Sequence, residues 1–167
     1  MNELYGHLSP IAAVFRQVGG LHLSLVGSVC WRPWRMLCDI DVYVVVPRLN
    51  ATVFGDLVRA AEEAAQNIAN ETATPWKVET RRGPFKAPPS QGLGGQIHLL
   101  CEDQESLVGL GDMTFLNWCN GAILLDGIEL RSLKPGTFER IQRNCAEQCR
   151  SELKALREAV AEEVVPY

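Results

Sequence analysis

Two carboxylates set two residues apart at the head of an apolar run constrain this chain more than any other feature. The run is Asp39-Ile40-Asp41-Val42-Tyr43-Val44-Val45-Val46, and its β-branched and aromatic content predicts a strand. A strand turns alternate side chains to opposite faces, so the two acids share one face with Cα atoms about 6.5–7 Å apart. Left alone they would repel, each disfavouring the charge of the other. A hard cation between them, or a pair of cations about 3.5–4 Å apart, removes that penalty. Upstream, residues 21–26 read as a short strand that delivers Gly27-Ser28 to its end. Glycine lets a backbone approach a ligand closely, and the N-terminus of a helix opening there favours an anion.

Taken together, Leu23-Ser24-Leu25-Val26-Gly27-Ser28 and Asp39-Ile40-Asp41-Val42 resemble the signature of the DNA polymerase β-like nucleotidyltransferase superfamily. In that superfamily one strand ends in Gly-Ser or Gly-Gly and a second carries Asp-x-Asp. The resemblance implies an α+β nucleotidyltransferase fold, a short mixed β-sheet flanked by helices. It implies Mg²⁺ held by Asp39 and Asp41, and the phosphates of a nucleoside triphosphate held at Gly27 and Ser28. It also implies a reaction: a nucleoside monophosphate passes to a hydroxyl and pyrophosphate leaves. The chain departs from the pattern at Arg32-Pro33, where a second glycine is common, and at Cys38, where serine often precedes the first acid.

Members of the superfamily usually carry a third carboxylate on a later strand. Counting strands puts Gln96-Ile97-His98-Leu99-Leu100 in that place, with His98 where the acid is expected. Histidine accepts a proton near neutral pH but is a poor ligand for magnesium, which prefers oxygen. His98 therefore joins Asp39 and Asp41 as a catalytic candidate. The same substitution motivates a second reading, a non-catalytic or repurposed member that binds a nucleotide or a partner protein. Glu79 is the alternative third acid, since the alternation at residues 76–80 puts it on a polar face with Lys77 and Arg81; an ion pair with either cation is its structural explanation. Arg81, Arg82 and Lys86 form a basic cluster suited to a triphosphate or a departing pyrophosphate, or else a solvated edge that discourages strand aggregation. Trp31 and Trp34 either stack on a base or fill the core.

At 167 residues, 47% hydrophobic and 22% charged, the chain has the composition of one globular domain. We expect a single nucleotidyltransferase-like domain over residues 1–167, with a core of about 1–101 and a C-terminal strand and helix over about 102–167. No apolar stretch approaches the roughly 20 residues of a membrane span, and the start of the chain has no basic region followed by an apolar one. A cytoplasmic protein without a membrane partner is expected. A net charge of −4 weighs against long nucleic acid, whose affinity comes from clustered Lys and Arg, so a small molecule or a protein is the expected acceptor. The six cysteines contain no C-x-x-C pair and read as reduced thiols rather than metal ligands.

Further periodicities complete the outline. Leu4, Leu8, Ile11, Ala12 and Phe15 describe one helix stopped at Gly19-Gly20. Asn50 or Thr52 caps an Ala-rich helix running to about Asn70. Residues 87–95 form a flexible connection suited to covering a substrate and lead into a strand at 96–101, and Asn120-Gly121 and Asp126-Gly127 bracket a short strand at 122–125. Finally Phe138, Ile141, Cys145, Cys149, Leu153, Leu156, Val160 and Val164 mark one face of a long C-terminal helix. That face packs on the protein's own core or on a second copy, giving a homodimer.

Overall fold

The Asp39–Val46 run forms the middle strand of a five-stranded sheet, hydrogen-bonded on both sides. The computed structural model describes residues 2–81 and 94–163, in two units, Met1–Leu133 and Lys134–Tyr167. In chain order the first unit comprises α1 (Asn2–His7), α2 (Ser9–Gln17), β1 (His22–Val26), β2 (Asp39–Val46), α3 (Ala51–Thr72), β3 (Trp76–Glu79), β4 (Gly95–Asp103), α4 (Gln104–Gly109), α5 (Asp112–Cys119), β5 (Ile123–Gly127) and α6 (Leu130–Leu133). The second unit carries the long helix α7 (Thr137–Glu163). The strands lie in the order β3-β4-β2-β1-β5. β2 runs antiparallel to β1 and parallel to β4, β3 is parallel to β4, and β5 is antiparallel to β1. This is the α+β arrangement that the resemblance implies, a short mixed sheet flanked by helices, and α7 is the long C-terminal helix that the periodicity predicts. Among the described residues no helix is long and apolar enough to cross a membrane.

One face of the sheet makes the core. Ile40, Val42, Val44 and Val46 of β2 join Leu23, Leu25, Ile97 and Leu99 from the neighbouring strands, and all pack against α1, α2 and α3. The contacting stripe of α3 is built on Ala60, Ala61, Ala64 and Ala65, whose small side chains bring the helix close to the sheet. Asn50 caps α3, its Oδ1 accepting from the Val53 N–H at 2.9 Å. The single N-terminal helix expected from the spacing is two helices. In a continuous helix residue 10 would donate to the Gly6 carbonyl, but Pro10 has no N–H. The Ser9 hydroxyl donates to that carbonyl instead, at 2.7 Å, and α2 begins afresh with proline in its first turn.

The other face of the sheet divides along the strands. Toward the end of β2 it is closed by α5: Trp118 packs on Tyr43 with ring centroids 4.3 Å apart, and Phe115 is fully buried. Helices α4 and α5 are absent from the sequence expectation, although Asp103 caps α4 by accepting from the Ser106 N–H at 2.8 Å. Toward the start of β2 the face carries the polar side chains of the candidate site.

Beside Tyr43 on the closed part, His22 is buried, and the roles of its ring atoms follow from its partners. Nδ1 lies 2.7 Å from the Ile128 carbonyl, which only accepts, so Nδ1 carries the proton. In the neutral ring Nε2 is then the acceptor for the Ser24 hydroxyl at 2.8 Å. Burial lowers the pKa of His22 from its ordinary 6.5. The unfolded chain therefore takes up this proton at higher pH than the folded one, and the stability that neutral His22 brings is present above about 6.5 and lost as pH falls through its lower folded value. Urea denaturation from pH 7.5 to 5 should show stability falling with acidification, and His22→Gln should flatten that slope.

Candidate functional site

Four adjacent strand positions form one row across the sheet. Glu79 on β3 pairs with His98 on β4, His98 with Asp41 on β2, and Asp41 with Val26 on β1. A second row on the same face holds Lys77, Gln96 and Asp39. The pleat thus gathers both acids and His98 on one side, as the alternation in the sequence requires.

Asp41 is held from two directions. Its Oδ1 lies 2.7 Å from Nδ1 of His98, and the other ring nitrogen of His98 lies 2.9 Å from the Arg81 carbonyl. Both ring nitrogens face oxygen acceptors, so a ring that donates from both satisfies the pair. His98 is 6% exposed. On the far side, Asp41 Oδ2 meets the Gly27 turn. Gly27 has φ +74°, and a Cβ there would come within 2.6 Å of that oxygen. Glycine suits the position both for its backbone angle and because any Cβ there would require the carboxylate to move. Residues Gly27–Cys30 then form a single short 3₁₀ turn, with Gly27 and Ser28 exposed and the Ser28 carbonyl accepting from the N–H groups of Trp31 and Arg32 at 3.1 Å.

The remaining candidates separate. Glu79 is buried and bound by its own neighbours: Arg81 Nε and Nη2 donate to its two oxygens at 3.0 and 2.8 Å, and the Thr80 and Arg81 backbone N–H groups donate to Oε1 at 3.0 and 2.8 Å. The ion pair weighed for Glu79 is thus present, with Arg81 as its cation. The hydrogen bonds to Glu79 also raise the pKa of the Arg81 guanidinium. Arg82 and Lys86 lie outside the described residues, as does most of the connection expected over the site. The two tryptophans have opposite surroundings. Trp34 is 4% exposed and packs edge-on against His7, whereas Trp31 is 75% exposed. The two half-buried cysteines of this unit are poor nucleophiles: burial raises the thiol of Cys30, with the Asp41 charge adding to it, and raises that of Cys119 to about 11.

The donor set suits a hard cation shared with a ligand. Among the described residues no group of three or more His, Cys, Asp and Glu side chains is placed to cage a metal. Magnesium is commonly held by only one or two carboxylates together with substrate phosphates, and Asp39 and Asp41 offer that number beside an exposed turn. The contacts of Asp41 with His98 and Gly27 could not be read from the motif, because they depend on which strands become neighbours.

No protein-family model matches the sequence, and no curated protein matches it. Among solved structures the chain is similar to a toxin–antitoxin with AMP-PNP, at 16% identity over 95% of this chain and 98% of that chain, with a TM-score of 0.42. It is similar to a mutant of the toxin–antitoxin MntA-HpeT at 15% identity, with the same coverage and TM-score. It is also similar to the spectinomycin adenyltransferase AAD(9) from Enterococcus faecialis with ATP and spectinomycin, at 12% identity over 83% of this chain and 63% of that chain, with a TM-score of 0.47.

The contact between Gly27 and Asp41 can be weighed directly. Gly27→Ala should destabilise by about 1–2 kcal/mol for the left-handed backbone alone, plus the cost of displacing the Asp41 carboxylate. Gly19→Ala is the control, because Gly19 has φ +67° with nothing within 4 Å of its Cβ position. Denaturant midpoints should place Gly27→Ala clearly below Gly19→Ala; equal losses would mean that Asp41 yields freely.

Proposed function

We propose that this chain is a Mg²⁺-dependent nucleotidyltransferase that moves a nucleoside monophosphate from a nucleoside triphosphate to a hydroxyl of a small molecule or a protein in the cytoplasm. The observation that carries the reading is the close contact between Gly27 and Asp41. A turn stripped of its side chain sits directly against one of two same-face carboxylates, so phosphate oxygens at the turn lie beside the groups that hold a cation. Asp39 and Asp41 would hold Mg²⁺, which when bound neutralises charge on the phosphates. Gly27 and Ser28 would receive the phosphate oxygens. Arg81 would join them by exchanging Glu79 for phosphate, both being anions matched to its forked donors.

In this reading His98 acts through Asp41. With both nitrogens donating, to Asp41 and to the Arg81 carbonyl, it accepts a proton from an incoming hydroxyl only after giving up one of its own and the partner that proton serves. In the geometry observed it is a positioning residue that fixes one oxygen of Asp41 and leaves the other toward the turn. Self-pairing of α7 belongs to the same reading, supported by Leu153 and Leu156 lying 54% and 61% exposed along it. A second reading, a nucleotide-binding protein without transfer, is favoured by one observation: the bond from His98 to Asp41 occupies one of the two carboxylate oxygens that metal could use.

Calorimetry with Mg²⁺ and nucleoside triphosphates, alongside turnover of labelled triphosphate, tests both. Asp39→Asn and Asp41→Asn should stay folded and lose metal-dependent binding to background, since the amide keeps the shape without the charge. His98→Gln should weaken metal affinity or activity by about 10–100-fold, the usual loss when a group orienting a ligand is removed. Unchanged metal dependence in both aspartate variants rejects the site. Tight, metal-dependent binding with no transfer to any acceptor supports the second reading.

A further inference from the structure

We infer that Trp31 is a stacking platform for the base of the bound nucleotide. The inference rests on the nucleotide-binding reading above and adds to it a nucleoside subsite. Trp31 directly follows the Gly27–Cys30 turn, and its N–H donates to the Ser28 carbonyl at 3.1 Å, which ties the root of the side chain to the segment that would take the phosphates. The ring itself has a seat. Gly121, in the turn before β5, has φ +103°, and a Cβ there would lie 2.5 Å from Cζ2 of Trp31. Any residue but glycine at that position would push the indole away.

A seated ring is ordinarily a buried one, as Trp34 is at 4% exposure; Trp31 keeps 75% of its surface in water. Single exposed apolar side chains are common and need no explanation. What sets Trp31 apart is that its ring lies close over a left-handed glycine without being covered, at the end of the candidate phosphate turn. It also lines an open cleft of about 440 Å³ whose wall includes Arg32, Pro33, Trp34 and the ion-paired Arg35 and Glu3, within the range of small-ligand clefts. A flat indole offers stacking to any base, because every base has a π-face, and the exposed Arg32 beside it offers a cation to a passing phosphate or ribose.

The test uses the full chain with Mg²⁺ and two kinds of probe, the four ribonucleoside triphosphates and inorganic tripolyphosphate. Trp31→Ala should weaken nucleoside triphosphates by about tenfold or more, the usual effect of removing a stacking ring, and leave tripolyphosphate affinity unchanged. Trp31→Phe should recover most of the loss, and nucleotide should quench indole fluorescence in the wild type but far less in Trp31→Phe. Equal nucleotide affinity for wild type and Trp31→Ala overturns the platform, and so does an equal loss for nucleotide and tripolyphosphate, which would mark Trp31 as a support of the turn or part of a protein-docking patch with Met36. A wild type that binds tripolyphosphate as tightly as any nucleotide overturns the platform and leaves the phosphate site standing. One that binds neither removes the nucleotide reading and the platform with it.

Discussion

The pleat of β2 is the constraint on which the first unit depends. Because β2 is bonded to β1 on one side and β4 on the other, its even-numbered residues all enter one layer and its odd-numbered residues the other. Burying Ile40, Val42, Val44 and Val46 contributes about 1.5–3 kcal/mol each. Two like charges about 6.5 Å apart near a protein surface cost about 2–3 kcal/mol. The apolar face therefore outweighs the electrostatic cost of two acids at the head of the same strand, and the strand forms with Asp39 and Asp41 held together. A candidate cation site is thus tolerated by the fold because its cost falls on the strand that does most for the core.

Around Asp41 the two oxygens of one carboxylate have separate surroundings. Oδ1 belongs to the interior, where His98 and the Arg81 carbonyl continue a polar chain toward β3; Oδ2 belongs to the turn at Gly27. Neighbouring Glu79 is turned the other way, toward its own Arg81. Two carboxylates flanking one histidine along a single row thus keep their charges apart. Each is matched locally by a different group, and the row as a whole carries less repulsion than its sequence suggests.

What could be read from the sequence was what depends on residues close together along the chain. β2, α3 and α7 follow from runs whose periods are unambiguous, and Asp39 and Asp41 share a face for the same reason. The break between α1 and α2 was legible in principle at Pro10, but Leu4, Leu8 and Ile11 keep a helical spacing across it, and periodicity carried the helix through. α4 and α5 escaped because their stretches are too short for a period to build up. The bond between Asp41 and His98 was hidden more deeply, since it exists only because β4 lies parallel beside β2, a choice made by the whole sheet. The opposite fates of Trp31 and Trp34, three positions apart in an irregular loop, had no local signal at all. The decisive partner of Trp31 is a glycine far along the chain.

The pairing of β2 with β4 also bears on how the protein can misfold. Moving β4 by a single residue would bring Ile97 or Leu99 opposite Asp41 and turn His98 into the apolar layer. The same slip would undo the core and dismantle the candidate site. A chain with this strand one residue out of register therefore loses core burial and the bond between Asp41 and His98 together, so such a state gains nothing that would hold it. Arranging the polar row across the most deeply paired strands makes the site its own check on folding.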